Sequence, residues 1–194
     1  LPLNRAIRTR GHLVLCRDIF SLIHRPDMSL SHSKAAWLLA TALASGSATA
    51  ACPSDNPAAI AQAFYTHHAD FYNSNPAKIR QAITPRLFAA LTQEYICKQG
   101  EICAIEADPW IDAQDGTIGQ PVSFTTLSNT RTEAKVLMMY SFMLDHQSHP
   151  QHATVVLQRP TPSSCLVVSD VIGPHGQSLL KQLESWHRQY GKAH

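Results

Sequence analysis

The sequence lacks the short signatures that announce most enzymes. Gly-x-Ser-x-Gly is missing, no glycine-rich loop could cradle a phosphate, and His-Glu-x-x-His does not occur. These absences remove any motif-based case for a hydrolase or a nucleotide-binding protein. No internal repeat and no low-complexity linker break the chain. The apolar run at residues 35–43 is too short to span a hydrocarbon core of about 30 Å.

Positive charge is scarce where it would matter. The whole chain is +2, but residues 1–50 carry Arg5, Arg8, Arg10, Arg17, Arg25 and Lys34 against only Asp18 and Asp27. That leader accounts for +4, which leaves −2 for the remainder. A nucleic-acid partner needs a cationic footprint, and a polybasic membrane anchor needs one too. Neither is expected here.

What is present begins with an address. Residues 28–50 have the parts of a secretory signal: a polar start with His32 and Lys34, the apolar run, then Ala48-Thr49-Ala50 before Ala51. Cleavage is expected after Ala50, giving a periplasmic or secreted domain over residues 51–194. Residues 1–27 read as an upstream extension, with Met28 as the initiator. A lipid on Cys52 is the lesser alternative, because Thr49 stands where a lipobox has an aliphatic residue.

Four cysteines follow the leader: Cys52, Cys97, Cys103 and Cys165. An even count in an exported chain favours disulfides over reactive thiols. Three connectivities are open. Proximity alone favours Cys97 with Cys103, which leaves Cys52 with Cys165.

The periodicity divides the domain in two. Asn56-Pro57 starts a helix on which Ile60, Phe64, His67 and Phe71 recur. Asn75-Pro76 restarts a short helix. Thr84-Pro85 starts another, with Leu87, Phe88, Leu91 and Tyr95 on one side. Alternation then takes over in residues 122–127, 135–144, 154–159 and 165–172. Residues 135–144 are apolar on both faces and are expected to be covered on both. Residues 145–151 and 160–164 are expected to be hairpin loops. A closing helix carries Leu179, Leu183, Trp186 and Tyr190 and stops at Gly191. The fold class expected is α+β: helices packed on a curved antiparallel sheet of about four strands, with a C-terminal helix.

Asp108-Pro109-Trp110 followed by Ala113-Gln114-Asp115-Gly116 resembles the signature of a bacterial family of unknown function. Its members are secreted or lipid-anchored proteins of the nuclear-transport-factor-2-like superfamily. Phe64-Tyr65, Leu166-Val167-Val168-Ser169-Asp170-Val171 and the segment 178–183 are similar to other parts of its plan, with Leu166 standing where the pattern has Trp. The resemblance implies a cone of curved sheet around helices with a pocket at its wide end. It implies no single activity, since that superfamily hosts isomerases, dehydratases and binding modules.

Several residues are site candidates. Asp108, Trp110, Gln114 and Asp115 could line a ligand pocket, with Trp110 as a flat apolar wall. The same residues suit turns, and that structural reading is preferred for Asp108 and Gln114. His146, His149 and His152 could converge on a metal. An exposed polar loop is the plainer reading, so neither a metal nor a cofactor is expected. His67, with Asp70 to orient it, and Asp170 are the weak candidates for a catalytic acid or base. The function these readings favour is a non-enzymatic binding or interaction module of the envelope, one that would serve toxin immunity or envelope upkeep. Its partner would be a protein or a small envelope ligand. The alternative is an isomerase or dehydratase working in the cone.

Overall fold

The computed structural model describes residues 52–98 and 103–191. The leader 28–50 and the upstream segment 1–27 lie outside the described residues.

Four helix starts share one logic, a capping side chain, which is followed by proline in the first three. Helix α1, Pro57–His68, begins where Asn56 Oδ1 accepts the Ala58 amide at 3.0 Å. A short 3₁₀ turn, Pro76–Ile79, begins where Asn75 Oδ1 accepts the Ala77 amide at 2.9 Å. Helix α2, Pro85–Cys97, is capped by Thr84 Oγ1. Proline fits each first turn because the missing N–H has no intrahelical partner there anyway. Helix α3, Leu179–Tyr190, is capped by Ser178 Oγ, which accepts the Lys181 amide at 3.1 Å. At its end Gly191 has φ −68°, so no left-handed cap forms there. Glycine is needed for space, since a Cβ would meet the His187 carbonyl oxygen at 2.5 Å.

Strands β1 (Thr117–Asn129), β2 (Glu133–Leu144), β3 (Gln147–Gln158) and β4 (Val167–Ile172) form one antiparallel sheet in sequence order. The expected α+β class, with helices before a four-stranded meander and a closing helix, is what the chain adopts. Strand β1 shifts register between Gly119 and Ser123 and again between Thr126 and Ser128. Beyond β4, Ile83 bridges Val168 in parallel, so the chain entering α2 lines that edge.

Two expectations need correction. Residues 145–151 are not a hairpin loop. The turn is Asp145-His146 alone, both with positive φ of 49° and 63°, and pairing starts at Leu144 with Gln147. Two left-handed central residues match the right-handed twist of the flanking strands. Pro150 is tolerated inside β3 because β4 pairs only with residues 154–158, which leaves one side of Pro150 open. Strand β2 is also covered on one face only. Val136, Met138 and Tyr140 are buried, but Met139 on the other face is 50% exposed, as Leu127 on β1 is at 57%.

The core lies between α1, which touches all four strands, and the inner sheet face. Phe64, Phe71 and Trp110 meet edge-on or tilted, with centroids 5.2–6.5 Å apart. Helices α2 and α3 pack on each other and on β4. Two disulfides fasten the periphery, Cys52–Cys165 and Cys97–Cys103, the pairing that proximity favoured. With the Cys52 sulfur bonded to Cys165, that atom has no valence left for a thioether lipid.

Candidate functional site

The segment 108–116 is a compact knot of turns. The Asp108 amide donates to the Ala113 carbonyl at 3.0 Å, and the Asp112 amide donates to the Asp108 carbonyl at 2.8 Å. Asp108 Oδ1 accepts the Trp110 amide at 2.8 Å, and Tyr72 donates its hydroxyl to the same carboxylate. Trp110 is 1% exposed and its Nε1 donates to the Ala69 carbonyl at 2.8 Å. Trp110 is therefore not a pocket wall, because its indole is part of the core. The Tyr140 hydroxyl donates to the Trp110 carbonyl and closes the knot onto β2.

Gln114 and Asp115 are exposed. The structural role preferred for Gln114 is not seen, since its side chain makes no hydrogen bond among the described residues and faces shallow depressions of about 450 and 260 Å³. A further tie from this knot, to the turn after β4, is Asp112, which sequence reasoning missed. It holds φ 51°, and its Oδ2 accepts the His175 amide at 3.1 Å. Its carboxylate occupies the place where a Cβ on Gly173 would stand, within 2.2 Å. The isolated signal for it was an Asp inside a turn cluster, one residue before Ala113.

Burial pushes the Asp108 carboxyl above the ordinary carboxylate range, against the opposing bonds from Trp110 and Tyr72. A raised native pKa means that the folded state holds its proton more tightly than the unfolded one. The resulting stability is fully present below the unfolded carboxylate pKa and is lost as pH rises through the native value. Asp108→Ala strands the Trp110 amide and should cost about 1–3 kcal/mol. Asp108→Asn keeps an acceptor and sheds the buried charge. It should melt close to the native protein at neutral pH and show a flatter acid-side profile. Melting curves of both variants between acid and neutral pH check this, and equal losses in both would refute it.

Asp170 lies on β4, and its side chain reaches the first turn of α3. Its Oδ2 accepts the Ser178 hydroxyl at 2.6 Å and its Oδ1 accepts the Leu180 amide at 2.9 Å. Burial raises its pKa first, and those bonds oppose the rise. Both oxygens are thus engaged in capping a helix. The placement of His67 on the apolar face also needs correction. Helix α1 ends at His68, so Phe71 turns back into the core from beyond it, while His67 is exposed. His68 is the half-buried one, edge-on to Phe64 at 5.6 Å. Burial and the neighbouring His67 lower its pKa. Asp70 does not orient His67, and instead accepts from Asn73 Nδ2 at 2.9 Å.

The three histidines of the second hairpin do not converge. His146 is in the turn, while His149 and His152 lie three residues apart on β3 and so face opposite sides of the sheet. Among the described residues no cluster of three His, Cys, Asp or Glu side chains could hold a metal ion.

Two features had no counterpart in the expectations. Glu94 on α2 is fully buried, and its carboxylate accepts the Ala104 amide at 3.1 Å and the Ile105 amide at 2.8 Å. His187 Nε2 approaches the same carboxylate to 3.3 Å, outside hydrogen-bonding geometry. The other feature is an apolar groove of about 630 Å³ between α1 and the entrance to β4. Its lining includes Ile60, Ala63, Phe64, Leu166 and Val167, together with His67, His68 and Cys165 of the disulfide.

The fold and this geometry define a disulfide-closed α+β domain with a filled interior and an apolar surface groove. No family model, curated protein or solved structure matches the chain.

Proposed function

We propose that the chain is an exported, non-enzymatic binding module of the cell envelope, built as a nuclear-transport-factor-2-like cone and related to the bacterial secreted family that its Asp-Pro-Trp segment resembles. The observation that carries the reading is the filled interior. Trp110, Phe64 and Phe71 occupy the space between helix and sheet where a cone pocket would open. Among the described residues no histidine and carboxylate converge between α1 and the sheet, and the one buried pair, His187 and Glu94, joins α3 to α2 with the Glu94 carboxylate engaged by the Ala104 and Ile105 amides. The groups that an isomerase or dehydratase would need are engaged elsewhere, Asp170 in a helix cap and His67 in solvent. The signal-like leader and the two disulfides support export to an oxidising compartment. Among the described residues no helix is long and apolar enough to cross a membrane.

The two classes of function differ in what Asp170→Ala does. A structural cap predicts a lower melting temperature, from a loss of about 0.5–2 kcal/mol. An active-site carboxylate predicts a neutral or higher melting temperature together with loss of turnover. The variant and the native protein should retain the same envelope component when immobilised and exposed to a periplasmic extract. A stabilised Asp170→Ala variant that loses a measurable turnover overturns the proposal.

A further inference from the structure

We infer that the cleft lined by Trp186 and Tyr190 of α3 together with Glu106 and Gln114 binds an uncharged oligosaccharide of β-linked pyranose units. The inference rests on the binding-module reading and gives it a ligand class. The cleft has a volume of about 450 Å³, within the roughly 300–1,000 Å³ typical of small-molecule sites. Glu106, Ala107 and Gln114 also line an adjoining depression of about 260 Å³. The two share a border, so the surface is elongated and suits a chain of sugar units better than a single ring.

The aromatic pair supplies a stacking surface. Trp186 and Tyr190 are one helical turn apart on α3, with ring centroids 5.4 Å apart and planes tilted by 48°. Trp186 leans on the core and is partly buried, while Tyr190 is 50% exposed. A pyranose with equatorial substituents turns its C–H groups to its two faces. Those slightly positive hydrogens pack on the negative face of an aromatic ring. The polar groups around the pair are uncommitted. Among the described residues Glu106, Gln114 and Gln189 have no hydrogen bond or ion pair. Gln182 engages only its amide nitrogen, which donates to the Ala104 carbonyl at 2.7 Å. Amides donate and accept, and a carboxylate accepts, a mixture that hydroxyls on adjacent carbons can meet. Competing ligands fit less well. Among the described residues no Lys or Arg lines the cleft, so an anion would meet Glu106 without a counter-charge. A wholly apolar ligand would strip water from these polar side chains and return no hydrogen bond. A proline-rich peptide, like a quaternary ammonium, brings no N–H to Glu106 and the amide oxygens.

The test is calorimetric titration of the intact exported protein with the tetramer of N-acetylglucosamine and with cellotetraose. Saturable one-to-one binding of at least one is expected, with the matching monosaccharide weaker by about tenfold or more. Tyr190→Ala removes a stacking ring from an exposed position at the end of α3, so the melting temperature should hold while affinity falls by about tenfold. Gln189→Ala, also at an exposed position, should weaken binding by about fivefold at an unchanged melting temperature. Trp186 is the more accessible of the two described tryptophans, since Trp110 is 1% exposed, so acrylamide quenching should fall when the sugar chain binds. Three results would each overturn the assignment: binding of neither tetrasaccharide, unchanged affinity in either single variant, or a polyproline peptide that binds more tightly than both sugar chains. If neither tetrasaccharide binds but an envelope component is still retained, the cleft assignment falls and the binding-module reading stands. Cleavage of either tetrasaccharide would keep the site and overturn that reading instead.

Discussion

Replacing Cys52 and Cys165 together with serine is expected to lower stability by about 4–5 kcal/mol, the chain-entropy value for a loop of this order. The bridge joins residues 113 apart, so it closes almost the whole described chain into one loop. Restraining so long a segment removes much of the conformational freedom of the unfolded state. At about 2–4 °C per kcal/mol for a domain of this size class, the melting temperature should fall by roughly 10–15 °C. The companion bridge, Cys97–Cys103, spans only 6 residues, so its loss should cost about 2 kcal/mol on the same reasoning. Denaturant unfolding of the two double-serine variants under oxidising conditions measures both. A short-bridge variant that loses as much as the long-bridge variant would show that loop length does not govern the effect. The native protein should also unfold in strong reductant at much lower denaturant than in its absence.

The helices and the Cys97–Cys103 bridge were legible because their signals are local, and the Cys52–Cys165 bridge followed by elimination. Asn56-Pro57, Asn75-Pro76 and Thr84-Pro85 each pair a capping side chain with a residue that fixes the first turn, and each begins a helix where it was read. Alternation located β2 and β4 within a few residues. It found only the second half of β3, because the polar run from Gln147 to His152 reads as a loop by composition. Pairing with β2 is a backbone property, and it continues along residues whose side chains face solvent. Alternation also misjudged the outer face of β2. Apolar residues at alternate positions say that a face is apolar, but only the placement of the helices says that it is covered. Helix α1 lies on the inner face, so Met139 stays open.

The site was legible in part. Asp108 and Asp115 were read as turn formers and lie in turns. Asp170 followed the resemblance, and its real partners, Ser178 and Leu180, are 8 and 10 residues further on across an irregular connection. The groove was illegible because its two walls come from Ile60 and Leu166, more than a hundred positions apart. Single-sequence patterns carry no information about which apolar residues from distant segments will share a surface. His187 and Glu94 have the same character, one from α3 and one from α2.

Glu94 did leave a trace in the sequence. It follows Leu91 by three residues and Leu87 by seven, so it lies on the face of α2 that carries the core leucines. A carboxylate on such a face must be satisfied or must not be buried. It is satisfied by the two amides just after Cys103, from Ala104 and Ile105, with Lys98 Nζ 3.8 Å away on the same helix. The side chain thereby clamps the segment 103–105 to α2, and Gln182 Nε2 on α3 donates to the Ala104 carbonyl at 2.7 Å. Glu94→Ala leaves two buried N–H groups without acceptors, at about 1–3 kcal/mol each, so a total loss of about 3–5 kcal/mol is expected. Glu94→Gln keeps one acceptor oxygen but turns an amide N–H₂ toward the second donor, and should lose about half as much. The loss should appear in hydrogen exchange before it appears globally, with the Ala104 and Ile105 amides exchanging far faster in both variants. Two outcomes would remove the clamp from the account: equal melting temperatures for Glu94→Ala and Glu94→Gln, or protected Ala104 and Ile105 amides in the alanine variant.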